Sequence, residues 1–205
     1  MTDVRAIGAQ QIVEAGRFLY GRGWSPATSS NYSIRLDEHT ALLTVSGKHK
    51  GQLTVDDVLA TNLAGESLEA GKKPSAETLL HTQLYRLKPD VHAVLHTHSV
   101  NATVLSRLTQ GDVLVLEDYE LQKAFRGQVT HEGQIQVPIF DNDQDIARLA
   151  QQVEPWLLAH PDAVGYLIRG HGLYTWGRDM AETLRHIEAF EFLFECELKT
   201  RALTR

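Results

Sequence analysis

A chain of 205 residues with a formal net charge of −6 lacks the basic surface that binding to a phosphate backbone requires, so nucleic acid is not an expected partner. Its one cysteine, Cys196, cannot form an internal disulfide and reads as a packing residue of the last helix, which leaves thiol chemistry out. No Gly/Pro linker or charge block divides residues 1–205, no apolar run approaches membrane-spanning length, and the first residues carry no signal pattern; one compact cytoplasmic domain without a membrane partner is expected.

Helical and strand patterns alternate along the chain. Ile12, Val13, Phe18 and Leu19 recur at helical spacing over residues 10–22, and Gly21 and Gly23 mark the end of that helix. Residues 33–36 and 41–45 predict a hairpin, a short helix begins near Thr54, whose side chain can cap it, and residues 58–62 predict a further strand. Ser75 opens a helix that runs to Arg86. Strand 91–98 then leads into helix 99–107, strand 113–116 into helix 118–125, and strand 134–139 into helix 144–160. Strands 164–168 and 172–176 and a helix from Met180 to about Lys199 complete the series. The alternation predicts an α/β fold with three layers around a mixed sheet.

The most informative motif is His96-Thr97-His98, which ends the apolar run Ala93-Val94-Leu95 and is answered by Gly170-His171-Gly172 after a second apolar run. In a strand, residues i and i+2 share a face, so His96 and His98 can present two imidazoles side by side. A third imidazole at His171, flanked by glycines that permit close backbone approach, completes three neutral nitrogen ligands. Three such ligands leave one position open for water or a substrate oxygen, the arrangement a catalytic divalent metal needs. His39, His49, His92, His131, His160 and His186 read as surface or helix positions, and His81 as a helix-face residue.

Two glutamates stand out beside this set. Glu77, in Pro74-Ser75-Ala76-Glu77, falls in the first turn of a helix, where a carboxylate is either a cap favoured by the helix dipole or a catalytic group. Glu120 lies in the acidic segment Leu116-Glu117-Asp118-Tyr119-Glu120, which locally reads as a solvated helix start. The turns Thr28-Ser29-Ser30-Asn31 and Ser46-Gly47-Lys48 offer hydroxyls and backbone N–H groups that can cradle a phosphate, though these are also the ordinary residues of turns.

Taken in order, Pro26-Ala27-Thr28-Ser29-Ser30-Asn31, Ser46-Gly47-Lys48, Lys73-Pro74-Ser75-Ala76-Glu77, His96-Thr97-His98-Ser99 and Arg169-Gly170-His171-Gly172 resemble the class II aldolase/adducin family over nearly the whole chain. The resemblance implies a largely antiparallel central sheet in an α/β/α sandwich, and one zinc ion per subunit held by His96, His98 and His171. It also implies a phosphosugar substrate whose phosphate meets Thr28, Asn31, Ser46, Gly47 and Ser75, with Lys48 as an addition. Glu77 matches the catalytic carboxylate of the aldolases. Glu120, in Glu120-Leu121-Gln122-Lys123-Ala124, matches the acid/base of the members that dehydrate a ketose 1-phosphate, the branch this chain most resembles. A phosphosugar aldolase or epimerase and a non-catalytic adducin-like scaffold are the alternatives. The family further implies a homotetramer with sites at subunit interfaces. Relatives usually carry Ser-Gly-Asn where this chain has Ser29-Ser30-Asn31, a departure that sets the Ser30 side chain against the backbone approach that glycine permits.

Overall fold

In the computed structural model, which describes residues 3–204, eight strands form one sheet. They are β1 (Asn31–Arg35), β2 (Thr40–Thr44), β3 (Val58–Asn62), β4 (Ala93–Thr97), β5 (Val113–Glu117), β6 (Gln134–Phe140), β7 (Gly165–Ile168) and β8 (Gly172–Gly177). Their order across the sheet is β3-β2-β1-β4-β8-β7-β6-β5, antiparallel throughout except for the parallel pair β6 and β7. The expected mixed, largely antiparallel sheet is therefore present. Among the described residues no helix is long and apolar enough to cross a membrane.

Five helices cover the two faces of the sheet: α1 (Val4–Gly21), α2 (Thr78–Leu87), α3 (Val100–Leu108), α4 (Ile146–Ala159) and α5 (Met180–Leu203). One core gathers Ile12 of α1, Leu105 of α3 and Phe190 of α5 against Leu42, Leu95 and Leu173 of the sheet. The other gathers Leu80 and Leu84 of α2 and Leu149 and Val153 of α4 against Val94, Ile168 and Tyr174. Successive side chains of a strand point to opposite faces, so Leu95 feeds the first core, and Val94 and His96 face α2 and α4. Each fully buried Leu or Phe contributes on the order of 1.5–3 kcal/mol, and this two-sided burial holds β4 and β8 rigidly in the middle of the sheet.

Several boundaries differ from expectation for local reasons. The first helix starts at Val4 rather than residue 10, because Asp3 caps it by accepting from the Ala6 N–H at 3.1 Å while Val4 and Ile7 remain exposed and break the apolar period. The helix expected from Ser75 starts at Thr78, because the Ser46 N–H donates to the Lys73 carbonyl and a bridge joins Val45 to Pro74, which keeps the preceding segment extended. The helix expected over residues 118–125 is a short 3-10 stretch, Glu120–Ala124, entered through Asp118 at φ 60°. The helix expected near Thr54 is one 3-10 turn, Val55–Asp57.

Gly172 begins β8 beside the end of β4, and a Cβ built there would lie 2.0 Å from the Thr97 carbonyl oxygen. Gly172→Ala should therefore overpack the β4–β8 contact and cost roughly 3 kcal/mol, at the upper end for core overpacking. At this chain length that corresponds to a fall in Tm of about 6–12 °C. Thermal unfolding measures it, and an unchanged Tm would contradict the close strand contact.

Candidate metal and substrate site

Strand register builds the centre of the site. Asn31 pairs with His96 across β1 and β4, and His96 pairs with Tyr174 across β4 and β8, so three adjacent strands present one row of polar side chains toward α2. The His96 ring stacks on Tyr174 at 4.0 Å between centroids and 16° between planes. His98 lies just past the end of β4, where its backbone N–H donates to the Trp24 carbonyl at 2.8 Å. His171 is carried on the turn between β7 and β8. That turn is clamped by the Gly170 N–H on Ser106 Oγ at 2.9 Å and by Arg169, which bonds the Ser106 carbonyl, Asp112 and Asp141. Gly170 takes φ 65°, a conformation that suits glycine, and the Thr103 hydroxyl holds the His171 carbonyl at 3.0 Å.

Glu77, His96, His98 and His171 each bring one ligand atom into a group whose members lie within 4.8 Å of one another. The Nε2 atoms of the three imidazoles are 2.7, 3.1 and 3.3 Å apart. Two nitrogens bound tetrahedrally to one zinc ion would be about 3.3 Å apart. His96 Nδ1–H donates to the Leu173 carbonyl at 3.0 Å, and His171 Nδ1–H donates to Asn142 Oδ1 at 3.3 Å. With the protons on Nδ1, both Nε2 atoms carry bare lone pairs that point at one another. Burial, reinforced by the neighbouring imidazoles, pushes His96 well below the ordinary imidazole range and brings His98 to about 3, so neither is protonated at neutral pH. Three converging imidazole nitrogens with a carboxylate beside them fit a divalent cation, which would relieve the repulsion between the His96 and His171 lone pairs.

Glu77 is turned away from its helix and toward the imidazoles. It is the N-cap residue of α2, yet its side chain makes no capping hydrogen bond. Instead Oε2 accepts from Asn31 Nδ2 at 2.7 Å and from the Tyr174 hydroxyl at 3.0 Å, and Oε1 lies 3.2 Å from His171 Nε2. Glu120 is not brought into this group by its own chain. Its side chain is 72% exposed, paired with Lys123 and 3.8 Å from His131.

A cavity of about 670 Å³ opens beside the cluster and is lined by Thr28, Asn31, Ser46, Gly47, Ser75 and Lys50, with Glu77, His98 and His171 at its edge. Lys48 does not line it. Its side chain turns outward to pair with Asp57 at 2.9 Å. The cation of the cavity is Lys50, whose Nζ donates to the carbonyls of Lys48 at 2.7 Å and Thr28 at 3.3 Å. An ammonium has three N–H donors, so one is left for a ligand. Burial pushes its pKa down to about 8. Asn31 lines the cavity, but its amide is committed to Glu77 and His81. Ser30 takes φ 72°, the left-handed shape that the Ser-Gly-Asn pattern would give to glycine, at a cost of about 1–2 kcal/mol. Sequence reasoning missed Lys50, Tyr174, Asn142 and His81; only the histidine carried a local signal, four residues after Glu77 on the same helix face.

Residues 10–198 match the family described as Class II Aldolase and Adducin N-terminal domain. A methylthioribulose-1-phosphate dehydratase of Pseudomonas paraeruginosa is 76% identical over 205 residues, 100% of both chains. Another, of Pseudomonas syringae pv. tomato, is 77% identical over 195 residues, 95% of this chain and 96% of its own. The solved L-fuculose-1-phosphate aldolase of Thermus thermophilus superposes with a TM-score of 0.79 at 25% identity, covering 98% of each chain. The chain belongs to the class II aldolase and adducin family.

Proposed function

We propose that this protein is a metal-dependent lyase that dehydrates 5-methylthioribulose 1-phosphate to 2,3-diketo-5-methylthiopentyl 1-phosphate, a step of methionine salvage. The observation that carries the reading is the group of Glu77, His96, His98 and His171 at the edge of a hydroxyl-lined cavity, in a chain that matches dehydratases at 76% identity from end to end. An adducin-like scaffold has no use for three imidazoles and a carboxylate so placed.

The reaction removes the C3 proton and the C4 hydroxyl as water, and the enol left behind tautomerises to the 2,3-diketone. A divalent cation held by His96, His98 and His171, taken to be zinc from the donor set, supplies Lewis-acid polarisation of the substrate's C2 carbonyl when bound. The protein's own groups do the rest. Thr28, Ser46, Gly47 and Ser75 offer hydroxyls and N–H groups to the phosphate, and Lys50 adds a positive charge from inside the cavity. Glu77, whose oxygens lie 3.2 and 3.3 Å from the His171 and His96 Nε2 atoms, would orient or accept the C3 proton. Glu120 moves the proton that the departing C4 hydroxyl needs. Because Glu120 is exposed in its own chain, a neighbouring copy in a homotetramer would deliver it to the site. In support, β5 is an edge strand with Val113 and Val115 exposed, and Leu121 and Phe192 add further exposed apolar surface.

Incubating the metal-loaded protein with 5-methylthioribulose 1-phosphate and identifying the product by mass tests the reaction: loss of one water is expected, and cleavage between C3 and C4 without dehydration would return the chain to the aldolase reading. Glu120→Gln should lose about 10²- to 10⁴-fold in kcat while keeping its metal. Mixed tetramers of Glu77→Gln and Glu120→Gln chains should regain activity that neither variant has alone; no recovery would contradict a site shared between subunits.

Lys50 gives a pH signature. Its ammonium is charged below about pH 8 and loses its proton above that, so phosphate attraction is present on the acid side and fades on the alkaline side. The free enzyme's kcat/KM should fall as pH rises through about 8, and in Lys50→Met it should be low already and lose that inflection. An unchanged pH profile in Lys50→Met would remove Lys50 from the site.

A further inference from the structure

Glu77 is tied to a buried line of polar groups that the reaction does not touch. Glu77, His81 and Tyr85 follow one another at intervals of four residues, so His81 and Tyr85 share the face of α2 that lies over the sheet below Glu77. Asn31 and Ser33 are two apart on β1 and share the face beneath it. The two sets interlock. Tyr85 Oη is 2.7 Å from Ser33 Oγ, Ser33 Oγ is 2.7 Å from His81 Nδ1, His81 Nε2 meets Asn31 Oδ1, and Asn31 Nδ2 is 2.7 Å from Glu77 Oε2. Ser33, His81 and Tyr85 are buried to within 1% of complete exclusion from solvent, so no water competes for these positions.

The direction of every bond in this line follows from its ends. An ionised carboxylate only accepts, so Asn31 must offer Nδ2–H to Glu77 and turn Oδ1 toward His81. That oxygen also only accepts, so His81 carries its proton on Nε2 and its Nδ1 is bare. Ser33 must then donate to Nδ1, and the Ser33 oxygen takes the proton of the Tyr85 hydroxyl. Burial pushes the His81 pKa down to about 3, which keeps the ring neutral as this pattern requires. A flipped Asn31 amide would set its oxygen against the Glu77 carboxylate and leave His81 Nε2–H without an acceptor. The line has one low-energy arrangement.

We infer that His81, Ser33 and Tyr85 are positioning residues: their one-way hydrogen-bond chain locks the Asn31 amide onto Glu77 Oε2 and so fixes the carboxylate between His96 Nε2, 3.3 Å from Oε2, and His171 Nε2, 3.2 Å from Oε1. The Tyr174 hydroxyl supplies the second donor to Oε2, so the orientation of the carboxylate is held from two strands. Asn31 thereby serves the carboxylate rather than the phosphate. The inference rests on the proposed reading of Glu77 as a carboxylate of the reaction, but the hydrogen-bond chain exists whatever the substrate.

Two measurements test it, the first without metal or substrate. In a long-range ¹H–¹⁵N spectrum of the metal-free wild-type protein with ¹⁵N-labelled histidine at pH 7, the resonance that disappears in His81→Gln should show the neutral Nε2–H tautomer. A neutral Nδ1–H ring or a cationic ring would overturn the inference, and through-bond assignment of the ring in uniformly ¹³C,¹⁵N-labelled wild type keeps that result readable if the variants fail to fold. The second measurement is kinetic. His81→Leu removes the donor to Asn31, whereas His81→Gln can put an amide N–H in its place. His81→Leu should lose about tenfold or more in kcat with KM within about twofold, because orientation of a proton-transfer group is lost and phosphate binding is not, and His81→Gln should recover most of that loss. Ser33→Ala, which keeps the ring and removes the donor to Nδ1, should lose kcat in the same sense. Equal kcat in wild type and His81→Leu, or a loss confined to KM, would overturn it. A wild-type enzyme that does not dehydrate the substrate would count against the proposed reaction and leave the tautomer measurement to decide the chain.

Discussion

The site depends on where two of its imidazoles keep their protons. His96 spends its Nδ1–H on the Leu173 carbonyl and His171 spends its own on Asn142, so their Nε2 atoms, 3.3 Å apart, have nothing to offer each other but lone pairs. Such a group is unfavourable alone and favourable around a cation. Each feature that holds these rings in place would therefore act on the affinity for a metal through geometry. The stacking of His96 on Tyr174 and the Arg169 clamp on the turn before His171 are two of them.

The fold supplies this arrangement by antiparallel register. β4 and β8 pair side by side, with Gly172 so close to the Thr97 carbonyl that it has no room for a Cβ, and this pairing brings His171 to the end of the strand that carries His96. The neighbouring register of β1 puts Asn31 beside His96, and α2 lies across the row with Glu77 at its start. A carboxylate at a helix N-terminus is ordinarily held by its own backbone. Here the backbone leaves it free, and donors from β1 and β8 take over. The cluster is thus assembled from four elements distant in sequence, each fixed by one of the two cores.

Much of this was legible in the chain itself. The pair His96 and His98 at a strand end, and His171 between glycines, follow from period-two geometry and from close backbone approach, both local properties. The strand at residues 58–62 and the hairpin before it were legible for the same reason. What escaped was set by long-range pairing. Lys48 and Lys50 are indistinguishable by composition, and only the turn before the 3-10 helix Lys50–Gln52 decides that the second points into the cavity and the first to Asp57. His81 looked like any histidine on a helix face until the register of β1 placed Ser33 and Asn31 beneath it. Glu120 was readable as an acid by resemblance, but the left-handed turn at Asp118 that leaves it exposed on a 3-10 stretch has no local signature.

The central claim is that His96, His98 and His171 bind one divalent ion per chain. Metal analysis of the purified protein tests it most directly, with His96→Ala and His171→Ala as the disrupted forms and His131→Ala, whose ring is exposed beyond the cluster, as the control. The account predicts one ion per chain in the wild type and in His131→Ala, and loss of that ion in His96→Ala and His171→Ala. Full occupancy in both of those variants would contradict it.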